Sequence, residues 1–113
     1  MSDIVSRSVR VVGDSVIVTL AGEVDASNAD ALEREVLGDA RGGRRLMLEL
    51  GDLIHVDSAG LRMVLRVRDD LVATGRSLLV VAQPGTPLRQ LLRLTGIDAV
   101  IEVADQLPPE AAA

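Results

Sequence analysis

The sequence predicts an α/β domain whose sheet has substantial parallel character, with helices covering at least one face. Three observations lead there. Apolar segments of strand length alternate with amphipathic segments of helix length, in the order β-β-α-β-α-β-α-β. Glycine, proline or a capping residue stands at most of the junctions. The chain has 113 residues, 48% of them hydrophobic, which suffices for one small core and is too short for two domains. Parallel neighbours separated by a helix join through right-handed crossovers.

Residues 4–12 and 16–20 read as two strands, with Gly13-Asp14-Ser15 as a tight hairpin between them. In the first, Val5, Val9 and Val11 share one face and Arg10 takes the other. Ser27-Asn28-Ala29-Asp30 opens a helix, with Ser27 as N-cap and Asp30 three residues on as a capping-box variant. Leu32, Val36 and Leu37 form its apolar stripe, and Arg41-Gly42-Gly43 ends it. Residues 46–50 are the next strand, and Gly51-Asp52 is expected to turn the chain.

Asp57 or Ser58 caps a second helix running to about Thr74, where Gly75 stops it. Leu61, Val64, Leu65, Leu71 and Val72 lie on its apolar arc, opposite Arg62, Arg66, Asp69, Asp70 and Ala73; Arg68 intrudes on the arc and snorkels. Residues 77–82 form a further strand. Thr86-Pro87 starts a third helix, with Pro87 where a missing N–H does no harm. Leu88, Leu91 and Leu92 are its core face, Thr95-Gly96 ends it, and residues 100–103 are a last short strand. Residues 105–113 contain Pro108-Pro109 and are either a stub of a fourth helix or a tail; the domain is expected to have its core at about 4–107 and to fray over 108–113.

Composition excludes several functions. Phe, Tyr and Trp are absent, so no aromatic platform exists for stacking bases, and a net charge of −5 lacks the footprint of a nucleic-acid binder. With no cysteine and one histidine, disulfides, thiolate chemistry and multi-histidine metal sites are out. All 12 basic residues are arginine, a pattern that fits a GC-rich coding sequence. No run approaches the roughly 18 apolar residues of a membrane span. Met1-Ser2-Asp3 is acidic at its third residue with no apolar run behind it, so no signal peptide, no membrane insertion and a cytoplasmic setting are expected.

The segment Ile54-His55-Val56-Asp57-Ser58-Ala59-Gly60-Leu61 carries the strongest signal. Ser58 stands where a strand and loop give way to a helix. Its oxygen can cap that helix, or it can be phosphorylated, since the helix dipole tolerates a charge of about −1.5 to −2 there. Gly60 either lets another backbone approach or packs against a neighbouring strand. Met63 is either core or part of an apolar contact strip beside Ser58. Glu23, Asp25, Asp52 and Asp57 fall near strand-to-helix edges, where they serve capping and turn chemistry or converge on magnesium or acid–base work. A serine hydrolase has no support: His55 is the only imidazole, and there is no G-x-S-x-G elbow. Neither a P-loop nor G-x-G-x-x-G is present.

Gly22-Glu23-Val24-Asp25, Asp57-Ser58-Ala59-Gly60-Leu61 and Leu94-Thr95-Gly96-Ile97-Asp98, in that order and spacing, resemble the STAS domain of bacterial anti-sigma factor antagonists over roughly residues 4–107. The resemblance implies a single STAS-like domain, a mixed β-sheet with helices packed mainly on one face. It implies a non-enzymatic partner switch without cofactor or metal. The unmodified protein would bind an anti-sigma factor that is also a serine-protein kinase, be released on phosphorylation at Ser58, and be restored by a PP2C-type phosphatase; the ATP belongs to the kinase. Glu23, Asp25, Asp57, Ser58, Ala59, Gly60, Arg62 and Met63 would form the partner-binding surface, with Asp25 matching the family's acidic residue near the serine. The sequence departs from the family pattern at Glu49, where Asp is usual, and at Pro108-Pro109, which shorten the final helix. The alternative is a STAS-type adaptor, for example a subunit of a lipid-transport ATPase, whose Ser58 is never modified.

Overall fold

The computed structural model describes residues 4–112; Met1-Ser2-Asp3, on which the expected absence of a signal peptide rests, and Ala113 lie outside the described residues. The elements are β1 (Val5–Val12), β2 (Ser15–Val24), α1 (Ala29–Asp39), β3 (Arg45–Val56), α2 (Ser58–Ala73), β4 (Ser77–Val81), α3 (Pro87–Thr95), a 3-10 turn (Ile97–Ala99), β5 (Glu102–Ala104) and α4 (Pro109–Ala112). One five-stranded sheet has the order β1-β2-β3-β4-β5, antiparallel between β1 and β2 and parallel thereafter. The predicted mixed sheet is therefore present.

The pleat divides each central strand between two apolar layers. Val16, Val18, Leu20, Leu46, Leu48, Leu50, Leu78, Val80 and Ala82 face the layer built by α1, α2 and α3. Ile17, Met47, Leu79 and Val81 face the other way, where Leu107 and Ala111 of the C-terminal segment cover them. The main helices thus occupy one side, and a single short turn of helix closes the other. Residues 109–112 are not a frayed tail: Ala111 is 1% exposed, and its carbonyl accepts from the Arg10 guanidinium. Burying an alanine and satisfying a carbonyl anchors a segment whose prolines cannot extend a longer helix.

Four further expectations are corrected. Val72 is 51% exposed because the buried face of α2 narrows to Leu71 in its last turn. Val9 and Val11 are exposed because β1 is an edge strand; α1 reaches it through ion pairs of Arg7 with Glu35 and Asp39, not through apolar packing. The last strand is displaced to Glu102–Ala104 by the 3-10 turn before it. Gly51-Asp52 does not turn the chain. β2 and β3 run on to Val24 and Val56, with Leu20 opposed by both Leu50 and Gly51, and with Ile54 unpaired between Leu53 and His55. Both irregularities are β-bulges, which absorb an extra residue and bend the strand.

These bulges position the site. Pairing of β3 with β4 stops at Glu49, whereas pairing with β2 continues to Val56. The ends of β2 and β3 thus project beyond the rest of the sheet. Gly22 permits the bend: its φ of +107° disfavours any side chain, and a Cβ there would collide with the Ile4 carbonyl oxygen, which accepts from Glu23 N at 2.7 Å. Gly22→Ala is expected to destabilise the protein by about 2 kcal/mol or more, read as a lowered urea midpoint with an unchanged m-value.

Candidate functional site

Two connections meet at the projecting ends of β2 and β3: residues 25–28 leading into α1, and Asp57 leading into α2. Asp57, extended at φ −110°, is the N-cap of α2. One of its carboxylate oxygens accepts from the N–H groups of Ala59 at 2.9 Å and Gly60 at 3.3 Å. Of the two capping candidates, the aspartate therefore holds the role. Ser58 becomes the first residue of the helix, exposed, and its hydroxyl makes no hydrogen bond among the described residues.

The floor beneath Ser58 is tightly packed. Gly60 is buried, and a Cβ there would lie 2.5 Å from Val56 Cγ2 and 3.2 Å from Val24 Cγ1. Its missing side chain serves the seating of α2 on the two strand ends, so Gly60 does not belong to an exposed docking surface. Met63 is 2% exposed and packs in the core, with only its edge reaching a surface groove, so of its two readings the core one holds. Ala59 is half-buried and Arg62 exposed. The groove, about 350 Å³, runs between α1 and α2 and is lined by Ala26, Asp30, Glu33, Ala59, Arg62 and Arg66. Arg66 lies 3.6 Å from both Asp30 and Glu33, which ties the two helices across it.

The first connection is organised by Asp25 and not by the predicted Ser27 cap. Ser27 donates to one Asp25 carboxylate oxygen through its backbone N–H at 2.9 Å and through its hydroxyl at 2.5 Å. Asn28 is the N-cap of α1, yet its amide faces away from the helix: Oδ1 accepts from Asp25 N and Nδ2 donates to the Glu23 carbonyl, both at 3.0 Å. The turn is therefore stitched to the end of β2. The Ser27 hydroxyl and backbone N–H hold the Asp25 carboxyl below its ordinary range, with His55 on β3 adding a favourable charge interaction. Asp25 is thus an anion at neutral pH, and the backbone N–H of Asp57 donates to the carbonyl of Val24, the residue before Asp25, at 3.4 Å.

The eight residues expected at the site consequently divide. Glu23, Asp25, Asp57, Ser58, Ala59 and Arg62 are at least partly accessible around the two connections; Gly60 and Met63 support them from below. Asp52 stands in β3, paired with Ala21 and away from the Asp57 cap. Among the described residues no group of three or more His, Asp or Glu side chains is placed to hold a metal ion. Sequence reasoning missed Ile54. The bulge turns it outward, 69% exposed, four residues before Ser58, with the exposed His55 beside it. A signal existed in an isoleucine so close to a reactive-looking serine, but its outward direction depends on the bulge.

Two measurable consequences follow from this packing. Gly60→Ala is expected to destabilise by about 1–3 kcal/mol, because stiff β-branched neighbours must move; this exceeds the helix-propensity gain of alanine. Thermal denaturation reads it directly. Asp25 supplies a pH dependence. Its folded-state pKa is lowered, so its stabilisation is present above the ordinary carboxylate range and is lost as pH falls through the folded value. Ser27→Ala is therefore expected to be less stable than wild type near pH 7, with the gap narrowing in acid denaturation series toward low pH.

Comparison with known proteins agrees with this architecture. The STAS domain family profile matches residues 6–108. BtrV of Bordetella bronchiseptica, named as an anti-sigma factor antagonist, is 35% identical over 98 residues, covering 86% of this chain and 84% of its own. The crystal structure of an anti-sigma factor antagonist from Mycobacterium paratuberculosis superimposes with a TM-score of 0.81 at 25% identity, covering 95% of this chain and 91% of that one. SpoIIAA, an anti-sigma factor antagonist from Bacillus solved in unphosphorylated and phosphorylated forms, shares the fold at 17% identity. The TM-score is 0.71 for the unphosphorylated form, over 89% of this chain and 90% of that one. A profile match across nearly all of a five-stranded domain, with a relative of this identity and coverage, places the chain in the STAS domain family.

Proposed function

We propose that this protein is an anti-sigma factor antagonist working by partner switching. In its unmodified form it binds an anti-sigma factor that is also a serine-protein kinase, and thereby frees a sigma factor. The kinase phosphorylates Ser58 and the complex dissociates; a PP2C-type phosphatase returns the protein to its binding form. The setting is the cytoplasm, and no helix of the described residues is long and apolar enough to cross a membrane. The protein is a binding module whose chemistry is done to it by its partners. Its similarity to BtrV and to the M. paratuberculosis antagonist supports the antagonist role.

One observation carries the reading: the Ser58 hydroxyl is exposed and unbonded at the first position of α2, because Asp57 has taken the cap. A serine that caps its helix is occupied; this one is available to a kinase. The switch then follows from electrostatics. A hydroxyl enters an interface at little cost, whereas a phosphate dianion must be desolvated and paired. Here it would also stand near the Asp57 and Asp25 carboxylates. The fold tolerates the charge, since it lies at the positive end of a sixteen-residue helix.

Calorimetric titration against the cognate kinase tests this. Ser58→Ala is expected to bind like the unmodified protein and to stay bound in the presence of ATP. Ser58→Asp is expected to bind at least about 100-fold more weakly, the order expected for an uncompensated charge in an interface. Equal affinity of the two variants, or failure of the kinase to place phosphate on Ser58 by mass spectrometry, would sink the proposal and leave an unswitched STAS adaptor, such as a lipid-transport ATPase subunit, as the reading to pursue.

A further inference from the structure

Ser58 opens α2, and Arg62 lies four residues on, at the spacing at which side chains on a helix surface meet. Both are exposed. Three other charges nearby are committed, whereas the side chains of Glu23 and His55 make no hydrogen bond or ion pair among the described residues. The Asp57 carboxylate is held by the N–H groups of Ala59 and Gly60. Asp25 is held by Ser27 and influenced by His55 on β3. Arg66, one turn beyond Arg62, is drawn to Asp30 and Glu33 of α1. Arg62, by contrast with Arg66, forms no ion pair or hydrogen bond among the described residues, although it lines the same groove.

We propose that Arg62 is the internal receptor for a phosphate on Ser58, forming a phosphoserine–arginine pair along the first turn of α2. The inference rests on reading Ser58 as a modification site and specifies what that site does once modified. The helix end tolerates the charge but offers the phosphate no hydrogen bond from Ala59 or Gly60, whose N–H groups the Asp57 carboxylate already occupies. Arg62 supplies what is missing: a planar guanidinium suited to bidentate phosphate binding, in the favourable order with the anion N-terminal to the cation. The pair gives the switch a second component. Unmodified, the face offers a partner carboxylate an unengaged guanidinium beside Ser58. Phosphorylated, it withdraws that cation and leaves a net negative charge. Release thus comes from removal of an attractive group as well as from arrival of a repulsive one.

The test installs phosphoserine at position 58 during translation, so that it needs no kinase and stays informative even if no kinase acts on Ser58 in the cell. The second ionisation of the phosphate is followed by ³¹P NMR at low salt in wild type, Arg62→Gln and Arg66→Gln. Wild type is expected to ionise about half a pH unit lower than Arg62→Gln, as for a charge-assisted pair at this spacing. The gap should close in about 1 M salt, where the screening length is near 3 Å. Arg66→Gln is expected to follow wild type, because Arg66 already faces two carboxylates. Identical titrations for wild type and Arg62→Gln would overturn the proposal. So would an Arg66→Gln shift as large as that of Arg62→Gln, which would mark a diffuse field of positive charge instead of a pair.

Discussion

The carboxylate of Asp57, accepting two N–H groups at the start of α2, is the contact on which the functional surface depends. A helix begins with unsatisfied N–H groups, and some acceptor must meet them. If Ser58 met them, its oxygen would be turned into the backbone and engaged. With the preceding aspartate in that role, the serine moves one position into the helix and its hydroxyl faces solvent. The Asp-Ser pair thus divides the labour: the first residue fixes the helix end, and the second is presented by it. The short helical start is also held rigidly from below. Gly60 admits Val56 and Val24 so closely that α2 cannot settle elsewhere without repacking the strand ends.

The bulges in β3 extend the same logic to the ground around Ser58. A regular β3 would alternate its side chains between the two apolar layers, and Ile54 would have to join one of them or break the pattern. The extra residue between Leu53 and His55 releases it from that alternation and leaves an apolar side chain in solvent at the end of β3. Exposure of isoleucine to this degree is unfavourable to an isolated protein. It fits a surface that is covered for part of its working life.

Sequence periodicity resolved the elements wherever an apolar face meets a layer of the core. The stripe Leu32, Val36 on α1 and the Thr86-Pro87 start of α3 are read directly, because burial and capping chemistry leave local marks: Leu32 and Val36 are buried, and Thr86 does cap α3. What stayed illegible depended on partners distant in the chain. Gly51-Asp52 has the composition of a turn, yet β2 supplies enough pairing to carry the strand through it. Ser27 has the composition of a cap, but it is turned to donate to Asp25, and Asn28 stands at the N-cap position. Val72 fits the helical arc and is exposed, because the last turn of α2 buries Leu71 alone. At the site the spacing of Asp57 and Ser58 was plain, whereas the choice of which one caps required backbone geometry.

The arrangement separates the reporter from the fold. Residues that hold the connections together, Asp57, Gly60, Ser27 and Asn28, are engaged with backbone or packed against strands; the exposed Ser58, Arg62 and Ile54 have no such duties. A charge placed on Ser58 therefore does not have to break a cap or open the core to be felt. It acts on whatever lies across the surface. A domain of this size has only a modest margin of stability. A switch that worked by unfolding a helix would consume much of that margin at each turn of the cycle. Under the proposed switch, confining the change to one exposed alcohol and one neighbouring cation would let the protein be modified and restored repeatedly while its sheet and helices stay in place.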